Sequence, residues 1–158
     1  MPTPLRRRPF DLLLVVTFAV FAFTSLVMEM YIVFDADLRD PGSDPFARAW
    51  ALYCTWDPIF LDTPLWLRIM CGIDGFVFGP FYLALVWALA KERAWIQLPA
   101  LLYAAAIVYS TLVYFGYEFI AEAGRADMTM VVLVNIPYTI MPLALAWRMW
   151  PRRRRLRA

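Results

Sequence analysis

Four apolar stretches divide the chain, at 10–34, 65–90, 95–120 and 129–150, with polar connections between them. Each is long enough to cross a hydrocarbon layer of about 30 Å as a helix rising 1.5 Å per residue. Pro9 suits the opening of the first helix, where its missing N–H costs nothing. A basic start before an apolar run also marks a signal peptide, but there the apolar region is about 7–15 residues. This run is longer and lacks a clear small-x-small cleavage site, so a retained helix is expected. The loop 35–63 carries Asp35, Asp37, Asp40, Asp44, Asp57 and Asp62 against only Arg39 and Arg48. Pro41-Gly42-Ser43 reads as a turn. Residues 46–56 predict a short interfacial helix, with Trp50, Trp56 and Trp66 at headgroup level. Lys91-Glu92-Arg93 makes a tight polar connection, Pro99 lies in the first turn of the third span, and 122–128 is a short polar loop. The fourth span contains Pro137 and Pro142. The fold class is therefore all-α: an integral membrane four-helix bundle with proline-kinked helices. It is flanked by a basic N-terminus at 1–9 and a basic tail at 151–158, with the membrane domain at 10–150.

Composition agrees with that reading. The chain has 158 residues, 63% hydrophobic and 17% aromatic, whereas soluble domains are close to half apolar. There is no histidine, which excludes imidazole base chemistry and most His-based metal sites. Cys54 and Cys71 are too few for a disulfide framework and are read as free thiols. Neither a cofactor, a metal nor a nucleic-acid partner is suggested. Charge distribution sets orientation. The N-terminal arginines, Lys91, Arg93 and the arginine tail all fall on one side of a four-span arrangement, and the acidic loop on the other. Both termini are thus expected in the cytoplasm, in the inner membrane if the protein is bacterial and in the endoplasmic reticulum if eukaryotic. The tail is read as a topology determinant that contacts anionic lipid.

Four polar groups lie inside the apolar stretches: Glu29, Asp74, Glu118 and Asn135. A charge at membrane depth is costly and points to function by default. Asp74 is about 14 Å into its helix and Asn135 about 9 Å into the fourth, while Glu29 and Glu118 fall near the outer edge. All four therefore occupy the outer half, with Asp57 and Asp62 in the loop nearby. Each has a plainer alternative. Glu29 and Glu118 can be interfacial carboxylates reaching water, Asn135 an interhelical hydrogen bond, and Asp57 before Pro58 a turn initiator. Asp74 has the weakest alternative. Met28, Met30, Met70, Met128, Met130 and Met141 are read as packing or lipid-facing residues. Pro80, Pro137 and Pro142 free backbone carbonyls and kink their helices. Such breaks are tolerated where they line a cavity. The aromatic side chains Phe76, Phe78, Phe81, Tyr82, Tyr114, Tyr117 and Tyr138 are candidates to wall it. An aromatic pocket holding carboxylates suits a rigid hydrophobic ligand with a cationic or electron-poor centre.

Met28-Glu29, Trp56-Asp57-Pro58, the segment from Asp74 through Pro80-Phe81, Trp95-Ile-Gln-Leu-Pro-Ala-Leu-Leu-Tyr103 and Asn135-Ile-Pro-Tyr-Thr-Ile-Met-Pro142 together resemble the EXPERA family. That family holds the sigma-2 receptor, the emopamil-binding sterol Δ8–Δ7 isomerase and their relatives. The resemblance covers about 8–150, rests on the ensemble rather than on one motif, and is nearest to the sigma-2 receptor subgroup. It implies a four-helix bundle with an aromatic pocket open laterally to lipid, natural ligands that are sterols, and relatives that often form homodimers. Acids at the end of the first helix and in the first loop hold the amine of drug-like ligands in that subgroup. Glu29 and Asp57 match them, the first as Glu in place of Asp, and Asp74 matches the acid six residues before a proline. The isomerase branch has a His four residues before a Glu-Gly-aromatic sequence. Here Asp74-Gly75-Phe76 matches the latter but the His position is Met70. Its fourth-helix Asn-x-x-Trp corresponds to Asn135 and Tyr138.

Two functions are therefore expected from different classes. One is binding of a sterol-like or terpenoid ligand, and of cationic amphiphiles, by Glu29, Asp57, Asp74, Asn135, Tyr138 and Tyr117. The other is isomerisation of a sterol or terpenoid double bond, with Asp74 or Glu118 as proton donor. The missing histidine favours the first. A buried carboxylic acid keeps the second open.

Overall fold

The computed structural model describes residues 4–151, so the arginine tail beyond Pro151 and the first three residues lie outside the described part. Four helices are long and apolar enough to cross a membrane: α1 (Pro9–Val33), α3 (Leu65–Ala90), α4 (Ala94–Glu122) and α5 (Met128–Met149). The fifth, α2 (Pro45–Cys54), lies in the first loop. No strand occurs among the described residues. The all-α, four-span architecture expected from the hydrophobic pattern is the one observed.

Local chemistry sets the helix ends. Asp44 caps α2, accepting hydrogen bonds from the Phe46 and Ala47 N–H groups at 2.8 and 3.3 Å, with Pro45 in the first turn. Asp127 caps α5 through Thr129 and Met130 at 3.1 and 3.2 Å. Such caps satisfy N–H groups that the helix itself leaves unpaired. At the C-terminal end of α1, Asp35 takes a left-handed conformation (φ 58°) that turns the chain into the loop.

The spans pair as α1 with α3 and α4 with α5. Gly75 and Gly79 let α1 and α3 approach closely. A Cβ on Gly75 would clash with Met30 Cε and lie 3.1 Å from the Ser25 carbonyl oxygen, and one on Gly79 would lie 2.7 Å from Leu26 Cδ2. Two apolar clusters divide the bundle along its length. Near the termini, Leu14, Phe18, Tyr82, Leu85, Ala100, Tyr103 and Leu145 pack together. Near the loop end, Ile32, Trp50, Ile59, Phe60, Leu67, Tyr114 and Val131 do so. The termini end is fastened by Asp11, which is buried and bonds Arg8 Nη1 and Arg148 Nε, each at 2.8 Å. Arg8 also donates to the Leu89 and Ala90 carbonyls, both at 3.1 Å.

Three spans contain a widened, π-helical turn: Thr24–Met28 in α1, Asp74–Phe78 in α3 and Glu118–Glu122 at the end of α4. Pro80 follows the second of these, and α5 breaks at Ile136 before Pro137. Pro142 sits within the continuing helix. Trp50 is held inside the protein rather than presented at its surface. Its ring is buried, and its indole N–H donates at 2.6 Å to the Met28 carbonyl at the end of the widened turn in α1. This bond folds α2 inward across the bundle.

Candidate functional site

Between the two clusters lies a cavity of about 300 Å³. Its acidic wall comes from α1 and α3. Asp74 is 8% exposed. Its Oδ2 accepts a hydrogen bond from Ser25, and its Oδ1 accepts one from Tyr82 at 3.1 Å. Tyr82 in turn accepts from Tyr103 at 3.1 Å, so a buried chain of hydroxyls holds the carboxyl from behind. Glu29 is brought against Asp74 and also lines the cavity. One of its oxygens is buried with no hydrogen-bond partner. No ion pair among the described residues involves either acid. Arg68, in the first turn of α3, is spent on Asp35.

The opposite wall is made of phenols and an amide. Asn135, just before the break in α5, donates to Tyr53 at 2.7 Å and to its own helix at the Val131 carbonyl at 2.8 Å. A longer contact of 3.5 Å reaches Tyr114. Both tyrosines then donate to Asp57 Oδ2, Tyr53 at 3.0 Å and Tyr114 at a shorter distance. Asp57 is thus fully buried behind the tyrosines and does not line the cavity. Burial pushes its carboxyl above the ordinary range, against the pull of the two phenol hydrogen bonds. Burial, then the neighbouring Asp57, likewise raises Tyr53 and lifts the Cys54 thiol to about 11. Tyr138 closes the cavity between α1 and α5. It stacks on Phe21 at 4.2 Å and shares a hydrogen bond of 2.8 Å with Thr24.

Residues 45–149 match the family described as EXPERA (EXPanded EBP superfamily). The chain belongs to this family. Among curated proteins it is similar to the "Probable 3-beta-hydroxysteroid-Delta(8),Delta(7)-isomerase" of Arabidopsis thaliana. The two are 22% identical over 153 residues, 93% of this chain and 69% of the relative. No solved structure matches.

Within this EXPERA bundle the structure brings together Glu29, Asp74, Asn135 and Tyr138 around one cavity and places three other expected residues off it. Asp57 reaches the cavity only through Tyr53 and Tyr114. Glu118 is fully buried, with neither carboxyl oxygen bonded. Tyr117 leans on Trp66 at 4.9 Å in the loop-end cluster. Of the expected aromatic walls, Tyr114 and Tyr138 line the cavity, while Phe76 is 63% exposed on the outside of α3. Met28 and Met70 do line it, as do Trp50 and Tyr53. Ser25 and Tyr103 in the spans and Tyr53 on α2 are polar partners that the sequence reading did not single out, and Tyr82, expected as a cavity wall, bonds Asp74 from behind. Spacing held a clue for one of them: Tyr53 precedes Asp57 by four residues, near enough to bond it across the end of α2.

Proposed function

We propose that this EXPERA protein holds a sterol-like or terpenoid molecule, and cationic amphiphiles, in the cavity between α1, α3, α4 and α5. The observation that carries this reading is the facing pair Glu29 and Asp74 in a wall otherwise apolar and aromatic. Two carboxyls side by side in a low dielectric do not both ionise without large cost, so the pair keeps one proton and one charge. A hydrophobic amine entering from the lipid supplies the missing cation, and a sterol hydroxyl can bond the unpartnered Glu29 oxygen. The faces of Tyr114 and Tyr138 suit a cation or a flat ring system. In this reading Asn135 contacts ligand and Asp57 supports the tyrosines from behind. With both termini in the cytoplasm, the cavity faces the outer half of the bilayer.

A second reading is supported by the likeness to the plant protein named as an isomerase over 93% of the chain. There a protonated carboxyl at Asp74 or Glu29 gives its proton to one carbon of a ring double bond. The neighbouring carbon becomes cationic beside the aromatic walls. The other member of the pair, as carboxylate, removes a proton further along, which shifts the double bond and restores the pair with no net proton change. Glu118, off the cavity, cannot touch that carbon directly. Met70 stands in the cavity wall where the isomerase branch has histidine, so the pair would act without an imidazole.

Native mass spectrometry with lipid extraction, on protein purified gently from its own membranes, tests the first reading. A co-purifying sterol or terpenoid supports it, and phospholipid alone overturns it. Incubating protein with a Δ8-sterol and resolving the products by gas chromatography tests the second. A Δ7 product that disappears in Asp74→Asn supports isomerisation, and unchanged sterol overturns it for that substrate.

A further inference from the structure

Behind the phenol wall lies a second group of acids that the cavity does not use. Asp57 and Glu118 are fully buried and Glu122 is 6% exposed. Asp57 Oδ1 and both oxygens of Glu118 have no hydrogen-bond partner. Glu118 and Glu122 are four apart at the widened end of α4, and Asp57 faces them from the 55–58 loop. The turn after α4 is held against that loop by the Asp127 N–H, which donates to the Trp56 carbonyl at 2.7 Å. Tyr53 and Tyr114 donate to Asp57 Oδ2. The Cys54 thiol is held neutral at ordinary pH by its burial. Asp127 is turned to its own helix cap. Arg125, with a largely exposed side chain, pairs with Glu122 at 3.2 Å.

Among the described residues, Arg125 is the cation paired with this group of three carboxyls. Asp57 accepts two phenol hydrogen bonds on one oxygen, as a carboxylate does. Glu118 accepts none, as a buried protonated acid can tolerate. A proton on Glu118, relayed by a water, would supply the donor that Asp57 Oδ1 lacks. Unpartnered buried carboxylate oxygens are too costly to stand without such a donor.

We propose that Asp57 and Glu118 share one proton across a small hydrated site at the loop end, and that Glu122 and Arg125 connect this site to outside water. Resting on the ligand-binding reading above, the proton is released when an amine cation occupies the cavity beside Tyr53 and Tyr114. The O–H bond at Glu118 breaks, water accepts the proton and passes it past Glu122 to the medium, and the carboxylate left behind offsets the bound cation.

Infrared spectroscopy of the carboxyl C=O stretch, on protein reconstituted at neutral pH, tests the shared proton without any ligand. A Glu29→Gln/Asp74→Asn background removes the signal of both members of the cavity pair. Glu118→Gln in that background is expected to abolish a protonated-carboxyl band that shifts in D₂O; an unchanged band overturns the proposal. Glu122→Gln, which leaves the shared proton in place, is expected to keep the band and slow its exchange, and exchange at the wild-type rate overturns the assigned route. Calorimetry with a hydrophobic tertiary amine, in buffers of different ionisation enthalpy, tests the coupling. Release of up to about one proton by wild type, lost in Glu118→Gln, is the expected result. Equal release by both proteins, or none by wild type, overturns the coupling. If no amine binds, the ligand-binding reading and the coupling fall together, while the infrared result still decides the shared proton.

Discussion

Asp74→Asn separates charge from shape at the cavity wall. Asp74 accepts hydrogen bonds on both oxygens, from Ser25 and from Tyr82, whereas one Glu29 oxygen accepts none. The donors thus favour the negative charge on Asp74 and the proton on Glu29. An asparagine there is close in size, and its carbonyl still accepts from one hydroxyl. What it removes is the anion. A charge-assisted hydrogen bond contributes about 1.5–3 kcal/mol, which corresponds to about 10- to 150-fold in the Kd of a cationic amphiphile. Glu29→Gln should weaken binding by less, because it removes mainly the proton-bearing partner. The double variant should lose less than the sum, since the pair carries one charge and not two. Competition binding in lipid nanodiscs at fixed salt, with a tertiary-amine probe and a neutral sterol side by side, measures this. The neutral ligand should change by less than about 3-fold. Amine affinity equal to wild type in Asp74→Asn would refute the placement of charge. An equal loss for both ligands would show that the variant disturbs the cavity's shape.

The remaining expectations concern stability and pH. Asp11→Asn should lower the melting temperature of the solubilised protein, because Asp11 is 3% exposed between Arg8 and Arg148. The cost is set at about 1–3 kcal/mol, below that of a fully buried pair, because Arg148 is partly exposed; an unchanged melting curve would discount the clamp. Gly79→Ala should cost about 1–3 kcal/mol by overpacking against Leu26, and Leu26→Ala should recover part of that loss if the 2.7 Å approach is the cause. Asp57 is raised above the ordinary carboxyl value by burial, so the folded state holds its proton to higher pH than the unfolded state. Its contribution to stability is then fully present below the unfolded value and declines as pH rises through the folded one. Thermal melts from the ordinary carboxyl range upward should show that decline in wild type and a flatter profile in Asp57→Asn, and parallel profiles would remove Asp57 as its source.

The four spans were legible because membrane crossing needs a long apolar run, and such runs are visible whatever they pack against. Their ends were legible to within one or two residues from the limits of those runs, with Pro9 marking the start of the first; the Asp44 and Asp127 caps emerged only in the structure. Which polar groups meet was less legible. Glu29, Asp74, Asn135 and Tyr138 were expected in one pocket and do line one cavity. Glu118 and Tyr117 were expected beside them and face elsewhere. A 3.6-residue period cannot be extrapolated through a widened turn, and Glu118 opens one. Tyr53 was hidden for a different reason. It sits on α2, and the direction in which that helix folds is set by the Trp50 bond to Met28, a contact between residues 22 apart in sequence.

The widened turns also connect the fold to its chemistry. Asp74 and Glu118 open such turns, and Glu29 directly follows one. A π turn shifts the helical register and leaves a carbonyl without its usual partner, a costly arrangement in lipid unless something donates to it. In α1 the Trp50 indole donates to the Met28 carbonyl at the end of the widened turn, so the turn that leads into Glu29 also meets α2. Straightening α1 would therefore do more than move an acid: it would remove the carbonyl contact that holds Trp50 and Tyr53 over the cavity. The acid pair and the phenol wall belong to one arrangement. For that reason, substitutions in the Thr24–Met28 turn should disturb both walls, although of its residues only Thr24 and Met28 line the cavity.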